Sequence, residues 1–360
     1  MLRACAALLV CAGHLYGVDQ RFFGGPVLPP AVQIGSAGVD LFFVLSGFLM
    51  VHVSRDTGRG WRAVAAFLAA RACRIYPMWW LALAAICLVG VWRPDWVFAH
   101  TGGVIHFAAD FALWPTDRFP LLAIGWTLVH EVYFYLAFTL LLLLPRRWLP
   151  AALAVWMALA IAGDLALAAP GALPPWLRVA THPLTLEFGL GAAVGLLVAR
   201  GARPAPAGLI ACGLAWAFVA AAMAHEAPHL LLEQSWLRVL AFGPAWALVM
   251  WGCVGREQGT GRVTLRALTP IGDASYSLYL VHIAVLTAGA RLLAPLCGPS
   301  ALDNVVAWGV LLSGSLIAAL VLHRRVEAPM VAALARLRRR AFEEGRPKAP
   351  AEAVSPQRRG

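Results

Sequence analysis

Long apolar runs alternate with short polar intervals along this chain. A helix needs roughly 17 to 25 apolar residues to cross a bilayer. Ten runs near that length are present, at about 4–18, 35–53, 75–92, 122–144, 150–169, 182–199, 206–224, 237–255, 274–293 and 303–323. The first is the shortest and follows a basic residue, as a secretory signal peptide does. His14 within its apolar stretch and the absence of an A-x-A cleavage site favour a resident span. No repeat of fixed period is present. After the last run comes VEAPMVAALARLRRRAFEE, an arginine-rich helical stretch, and then a Pro/Ala/Arg segment too polar to pack. The pattern predicts an all-α polytopic membrane protein of about ten transmembrane helices over residues 1–325. Residues 326–360 are expected to form a basic cytoplasmic tail that faces anionic lipid and is partly disordered.

Composition agrees with that reading. The chain is 61% hydrophobic and 13% charged, with a mean hydropathy of +0.74. Soluble domains carry about 25% charged residues, so a soluble enzyme is excluded. A net charge of +11 would suggest nucleic acid in a soluble chain, but here the distribution of charge carries the information. All of the 29 lysines and arginines except Arg21, Arg93, Arg118, Arg178, Arg238 and Arg291 fall on the side of the N-terminus. The positive-inside bias therefore places both termini in the cytoplasm, and no nucleic acid is expected as a partner. The seven cysteines are dispersed without C-x-x-C spacing. They read as small buried hydrophobes, with no metal site implied.

Ionisable groups inside the hydrocarbon cost several kcal/mol, so each one asks for a reason. They are His14, Asp40, Glu131 (beside His130), Asp164, Glu187 and His282. Helix direction puts Asp40, Glu131 and Glu187 near the outer ends of inward-running helices, and His14 beyond the midplane. A shared polar cavity in the outer half is the functional reading; interhelical hydrogen bonding is the plain one. Asp164 is expected near the interface, and Trp79 and Trp80 in an aromatic belt. His52, His100, His106, His225, His229 and His323 lie at span ends or in loops and receive no function.

The stretch FLAARACRIYP sets Arg71 and Arg74 at i and i+3, on one face of a helix end. Two guanidinium forks suit phosphate, although arginines on this side also serve as plain topological anchors. Arg3 lies on the same side. It precedes His14 by eleven residues, which puts the two within roughly 20° of one helical face and about 16 Å apart along it. A phosphate-binding rim beneath a deeper histidine fits an extended phosphorylated donor whose reactive end reaches inward.

These residues resemble the integral-membrane acyltransferase 3 family over about residues 2 to 330. The motifs occur in family order: the R-x10-H of Arg3 and His14, GSAGVDLFFVLSGFLM (35–50), RACRIYP (71–77), GWTLVHEVYFYLAF (125–138), TLEFGLGAAVG (185–195), IGDASYSLYLVH (271–282) and VEAP (326–329). The W-T-L form followed by E-x-x-F-Y resembles the exopolysaccharide acetyltransferase branch. Departures are His130, where a small or apolar residue is common, and Val132, where a second acid often follows the glutamate.

The resemblance implies transfer of an acyl group, usually acetyl from acetyl-CoA, to a hydroxyl of a cell-surface, exported or lipid-linked carbohydrate. It also implies residence in the inner (plasma) membrane, with acyl-CoA as a co-substrate and no bound cofactor. Glycan-assembly proteins would then act as separate chains. The histidine matched by His14 is taken as catalytic in the family. The arginines matched by Arg3, Arg71 and Arg74 are taken as essential for donor binding or activity.

A histidine is the natural general base near neutrality. Direct base catalysis and a transient acyl-histidine both remain open. Glu131 is the candidate for holding the imidazole tautomer, with Asp40, Glu187 and His282 as supporting candidates. The competing class is a transporter or flippase for a glycan or small polar solute. No inverted-repeat pattern supports it.

Overall fold

The computed structural model describes residues 1–23, 30–55, 60–98, 105–166, 173–202, 205–226, 235–260, 265–297 and 301–343. Arg59, Arg203, Arg262, His100, His229 and the tail from 344 lie outside the described residues. We number the long helices α1 (Leu2–Phe22), α2 (Gly38–Val53), α3 (Trp61–Trp92), α4 (Gly125–Leu141), α5 (Leu149–Ala166), α6 (Thr185–Ala199), α7 (Pro206–Glu226), α8 (Ser235–Thr260), α9 (Ser275–Leu293), α10 (Ala301–Leu322) and α11 (Ala328–Glu343). No strand occurs among the described residues. Each of the ten apolar runs coincides with one of α1–α10.

Among the described residues eight helices are long and apolar enough to cross a membrane, and the bent pair Pro175–Thr181 and α6 makes a ninth, with 42° between its parts. Helix α4 has 17 residues, about 26 Å, and stands at the lower limit for a span. Large apolar side chains such as Leu88, Val91, Leu159, Phe218 and Ile317 are exposed on the outside of the bundle. This is the arrangement of a multi-pass membrane protein.

Two elements extend beyond the apolar runs. Helix α3 begins at Trp61 and continues through Arg71, Arg74 and Pro77 as one element of 32 residues. The Ala-rich segment before Pro77 has high helix propensity, so both arginines sit within the helix rather than at its start. Beyond α10, a π-helical turn at His323–Glu327 leads directly into α11, which packs back against α3.

The centre of the bundle is built around α1, α2 and α9. Helix α1 packs against α2, α9 and the 3-10 segment Pro30–Ala37. Apolar side chains gain nothing by leaving lipid for protein, so close backbone approach at small residues drives such packing. A Cβ on Gly13 would stand 2.6 Å from the Ser36 amide nitrogen, so only glycine lets the 3-10 segment lie this close to the turn that carries His14. At the crossing of α2 and α6, Gly47 and Gly191 present the same close approach.

Beside that crossing Phe43, Phe134, Phe138 and Phe188 interlock in edge and stacked contacts. Trp79 is fully buried rather than in a belt. Its indole donates 2.7 Å to the Asp110 carbonyl and ties a short helix, Phe107–Ala112, to α3. Trp80, 40% exposed, keeps the peripheral position.

Candidate active site

Two cavities are stacked along α1. The lower one, about 310 Å³, is lined by Arg3 of α1, Arg71 and Arg74 of α3, Ser46 and Met50 of α2, Glu131 and Tyr135 of α4, and Arg338 of α11. It follows α2 from Met50 up to Val39, eleven residues or about 16 Å, and is therefore long rather than round. The upper one, about 150 Å³, is lined by His14, Ser36, Trp126, Arg238 and Ile283. Val39 and Tyr279 line both, so these two side chains form the partition. Tyr279 is fixed there by its hydroxyl, 2.5 Å from Thr127 Oγ1 and donating 2.8 Å to the Ile124 carbonyl.

The lower cavity is a cation-rich slot. The Arg3 Nε donates to Ser275 Oγ at 3.1 Å. Arg71 lies over the rings of Phe67 and Tyr135, 5.4 and 5.6 Å from their centroids. Its buried Nε has no hydrogen-bond partner among the described residues. Arg74 donates 2.5 Å to Glu327 and lies over Tyr276. Against these cations the lining holds one carboxylate, Glu131, which accepts from Ser46 Oγ at 3.3 Å and from the Tyr135 hydroxyl. Guanidinium N–H groups left unpaired away from water are costly, so the slot is suited to an anion that pairs them.

In the upper cavity the decisive contact is between two imidazoles. His14 Nδ1 is 2.9 Å from the Val10 carbonyl and 3.3 Å from His282 Nε2, with ring centroids 4.9 Å apart. His282 Nδ1 in turn is 3.0 Å from the Leu278 carbonyl. A carbonyl oxygen only accepts, so both Nδ1 atoms carry the proton. The His282 Nε2 is then a lone pair facing His14 Nδ1–H, and His14 Nε2 is left as a free lone pair. One tautomer of His14 is fixed from two sides.

The remaining sequence candidates separate. Glu131 was expected to orient His14, and the structure does not bring the two together: its hydrogen bonds are in the lower cavity, and the imidazole is held by Val10 and His282. The helical depth argument put Glu131 too far outward, because the cavity along α2 reaches deep enough to include α4 at that level. Asp40 is fully buried and receives Arg238 Nε at 2.9 Å and Nη2 at 2.8 Å, while the same Nη2 donates to the Ser36 carbonyl at 3.0 Å. Glu187, also fully buried, neighbours both Asp40 and Arg238. Through Arg238 this buried charge cluster reaches the cavity that holds His14. Asp164 is not merely solvated, since the Trp236 indole donates to it at 2.6 Å.

Four contributors escaped sequence reasoning. Arg238 was counted with the residues of the outer loops, yet it is buried in α8 at the His14 cavity. Its hydrogen bonds run from Nε and Nη2, and the buried Ser36 Oγ on the same cavity has no hydrogen-bond partner among the described residues. Glu327 stands in the quoted VEAP motif without an assigned role. It is fully buried and is held by Arg74, by Ser277 Oγ at 2.6 Å and by His323 Nδ1 at 2.9 Å. Arg338 was read only as part of a lipid-facing tail. No signal in a single sequence separates these residues from ordinary anchors, except the i, i+4 spacing of His323 and Glu327.

A family model described as an acyltransferase domain matches residues 1–324. The chain belongs to the acyltransferase 3 family. It is 31% identical over 309 residues to the exopolysaccharide production protein ExoZ of Rhizobium meliloti (strain 1021), covering 83% of this chain and 90% of that protein. To the acyltransferase MdmB of Streptomyces mycarofaciens it is 28% identical over 374 residues, covering 94% and 92%. Protein 2 in the picA locus of Rhizobium radiobacter is 31% identical over 150 residues, covering 36% and 74%. No solved structure matches the chain. The matched region ends four residues before α11 begins.

Proposed function

We propose that this acyltransferase moves an acetyl group from acetyl-CoA, held in the lower cavity, to a carbohydrate hydroxyl presented in the upper one, with His14 as general base. The stacking of the two cavities along α1 carries the reading. The lower slot carries its arginines at the end that the positive-inside bias assigns to the cytoplasm, where acyl-CoA is available. Arg3, Arg71 and Arg74 pair with the donor phosphates there, and the thioester extends towards Tyr279 and His14. The acceptor enters from the opposite face, so only the acyl group crosses. The acceptor class follows from the likeness to an exopolysaccharide production protein, and residence in the plasma membrane from the need for cytoplasmic donor and exported acceptor.

The chemistry needs no metal. His14 Nε2 takes the acceptor hydroxyl proton as the oxygen attacks the thioester carbonyl. The new C–O bond forms and the carbonyl π pair moves onto oxygen, to which Nη1 of Arg238 and the Ser36 hydroxyl donate. Collapse breaks the C–S bond, and the imidazolium returns its proton to the leaving thiolate. His282 keeps Nδ1–H directed away from the reacting face, and Asp40 fixes the Arg238 plane.

Sealed vesicles test the arrangement. Labelled acetyl-CoA should support transfer when supplied at the cytoplasmic face with acceptor at the other. The His14→Ala variant should insert normally and lose at least ~10²-fold in rate. Full activity of His14→Ala would end its assignment as base. Transfer with both substrates confined to the cytoplasmic face would refute the two-sided scheme.

A further inference from the structure

Helix α11 lies outside the region matched to the family and is the most basic described segment of the chain, with Arg336, Arg338, Arg339 and Arg340 in sequence. An amphipathic helix of this kind ordinarily lies on a membrane surface with all its cations towards lipid headgroups. Here the cations are divided. Arg336, Arg339 and Arg340 are exposed, whereas Arg338 is partly buried and faces the lower cavity. Val331, Ala335 and Arg338 line that cavity together. Their spacing of i, i+4 and i+7 is one helical stripe, so a whole face of α11 is turned towards the slot.

The position of α11 is fixed at its root. Glu327, the last residue of the π-helical turn, is buried and bound by Arg74 of α3, Ser277 of α9 and His323. Three elements therefore converge on one carboxylate, and one of its partners, Arg74, itself lines the slot. Met330, one turn further, packs on the main apolar core. With its start held this way, α11 lies along α3 and completes the wall that the transmembrane helices leave open.

We propose that α11 is part of the donor site, with Arg338 a fourth guanidinium that binds the phosphates of the acyl donor while Val331 and Ala335 cover the start of its less polar arm. This rests on the reading of the lower cavity as the acyl-CoA site. It makes the C-terminal helix a binding element rather than an anchor.

The test uses the full chain in nanodiscs of zwitterionic lipid, which removes any contribution from anionic headgroups, and measures acetyl-CoA binding directly. Arg338→Gln should weaken binding by about tenfold or more, the size expected for loss of charge-assisted phosphate contacts. Arg338→Lys, which keeps the charge but not the fork, should fall between. A triple Gln variant at the exposed Arg336, Arg339 and Arg340 should bind as the wild type does. Wild-type affinity in Arg338→Gln, or equal weakening in the triple variant, would overturn the assignment of Arg338 alone. Failure of the unaltered protein to bind acetyl-CoA would overturn the donor reading itself, and this inference with it.

Discussion

Replacing Arg238 with methionine isolates the contribution of the buried charge cluster. Asp40 is fully buried and takes two donors of the guanidinium at 2.9 and 2.8 Å, and the Arg238 side chain is 10% exposed. Removing one member of a buried pair costs about 3–5 kcal/mol, because the other charge stays behind without its partner. Arg238→Met leaves two carboxyls, Asp40 and Glu187, next to each other with no cation between them, which places it at the upper end. Asp40→Asn leaves Arg238 with Glu187 as a counter-charge and belongs at the lower end. The double variant removes one of the two carboxyls left without a cation and so regains much of the loss.

The expected order of stability is therefore wild type, then the double variant and Asp40→Asn, then Arg238→Met well below. Size-exclusion profiles after heating in detergent report the order as an apparent midpoint, a measure that does not require reversible unfolding. Transfer activity should stay lost in the double variant although its stability returns, since the cavity still lacks its guanidinium. A melting midpoint for Arg238→Met equal to wild type would refute the energetic reasoning. Restored transfer in the double variant would refute the role of Arg238 at His14.

Two further outcomes follow from the contacts around His14. His282→Phe keeps a ring in place but removes the lone pair that faces His14 Nδ1–H; losing a hydrogen bond of about 1.5–3 kcal/mol should lower kcat roughly 10–100-fold while donor KM holds, and a shift in KM alone would argue that His282 only packs. Tyr279→Ala removes the larger half of the partition between the cavities, so hydrolysis of acetyl-CoA without acceptor should rise relative to transfer; an unchanged ratio would show that Tyr279 does not divide them.

The transmembrane helices were legible because apolarity over a span's length is a local property, readable from the run itself. Arg3 and His14 were legible for the same reason: one helix carries both, and 3.6 residues per turn relates them without any knowledge of neighbours. What failed was depth between helices. Glu131 and His14 belong to different elements, and a position counted from a helix end says nothing about helix tilt or about how far a cavity follows α2. Arg238 shows the opposite error. As one residue among outer-side arginines it looked like loop charge, and only the approach of α8 to the buried Asp40 reveals it as part of the wall beside His14. Glu327 was hidden because its partners on α3 and α9 lie 253 and 50 positions away in the chain, and Arg338 because the cavity it lines is built by helices remote in sequence.

On the proposed reading, the two stacked cavities also account for the depth of His14. A nucleotide donor cannot bring its phosphates into hydrocarbon, since desolvating such charges costs far more than any single contact returns. They must stop at the guanidinium rim, where Arg3, Arg71, Arg74 and Arg338 can pair with them. A hydrated sugar is held back at the other face for the same reason, by the polar groups it would have to shed. The reaction can then occur only where an uncharged part of the donor reaches an acceptor that has barely entered. That level lies about 16 Å along α1 from Arg3, beside the Tyr279 that lines both cavities. On that reading helix α1 is the ruler of the reaction, because Arg3 lines the donor slot and His14 the cavity above it.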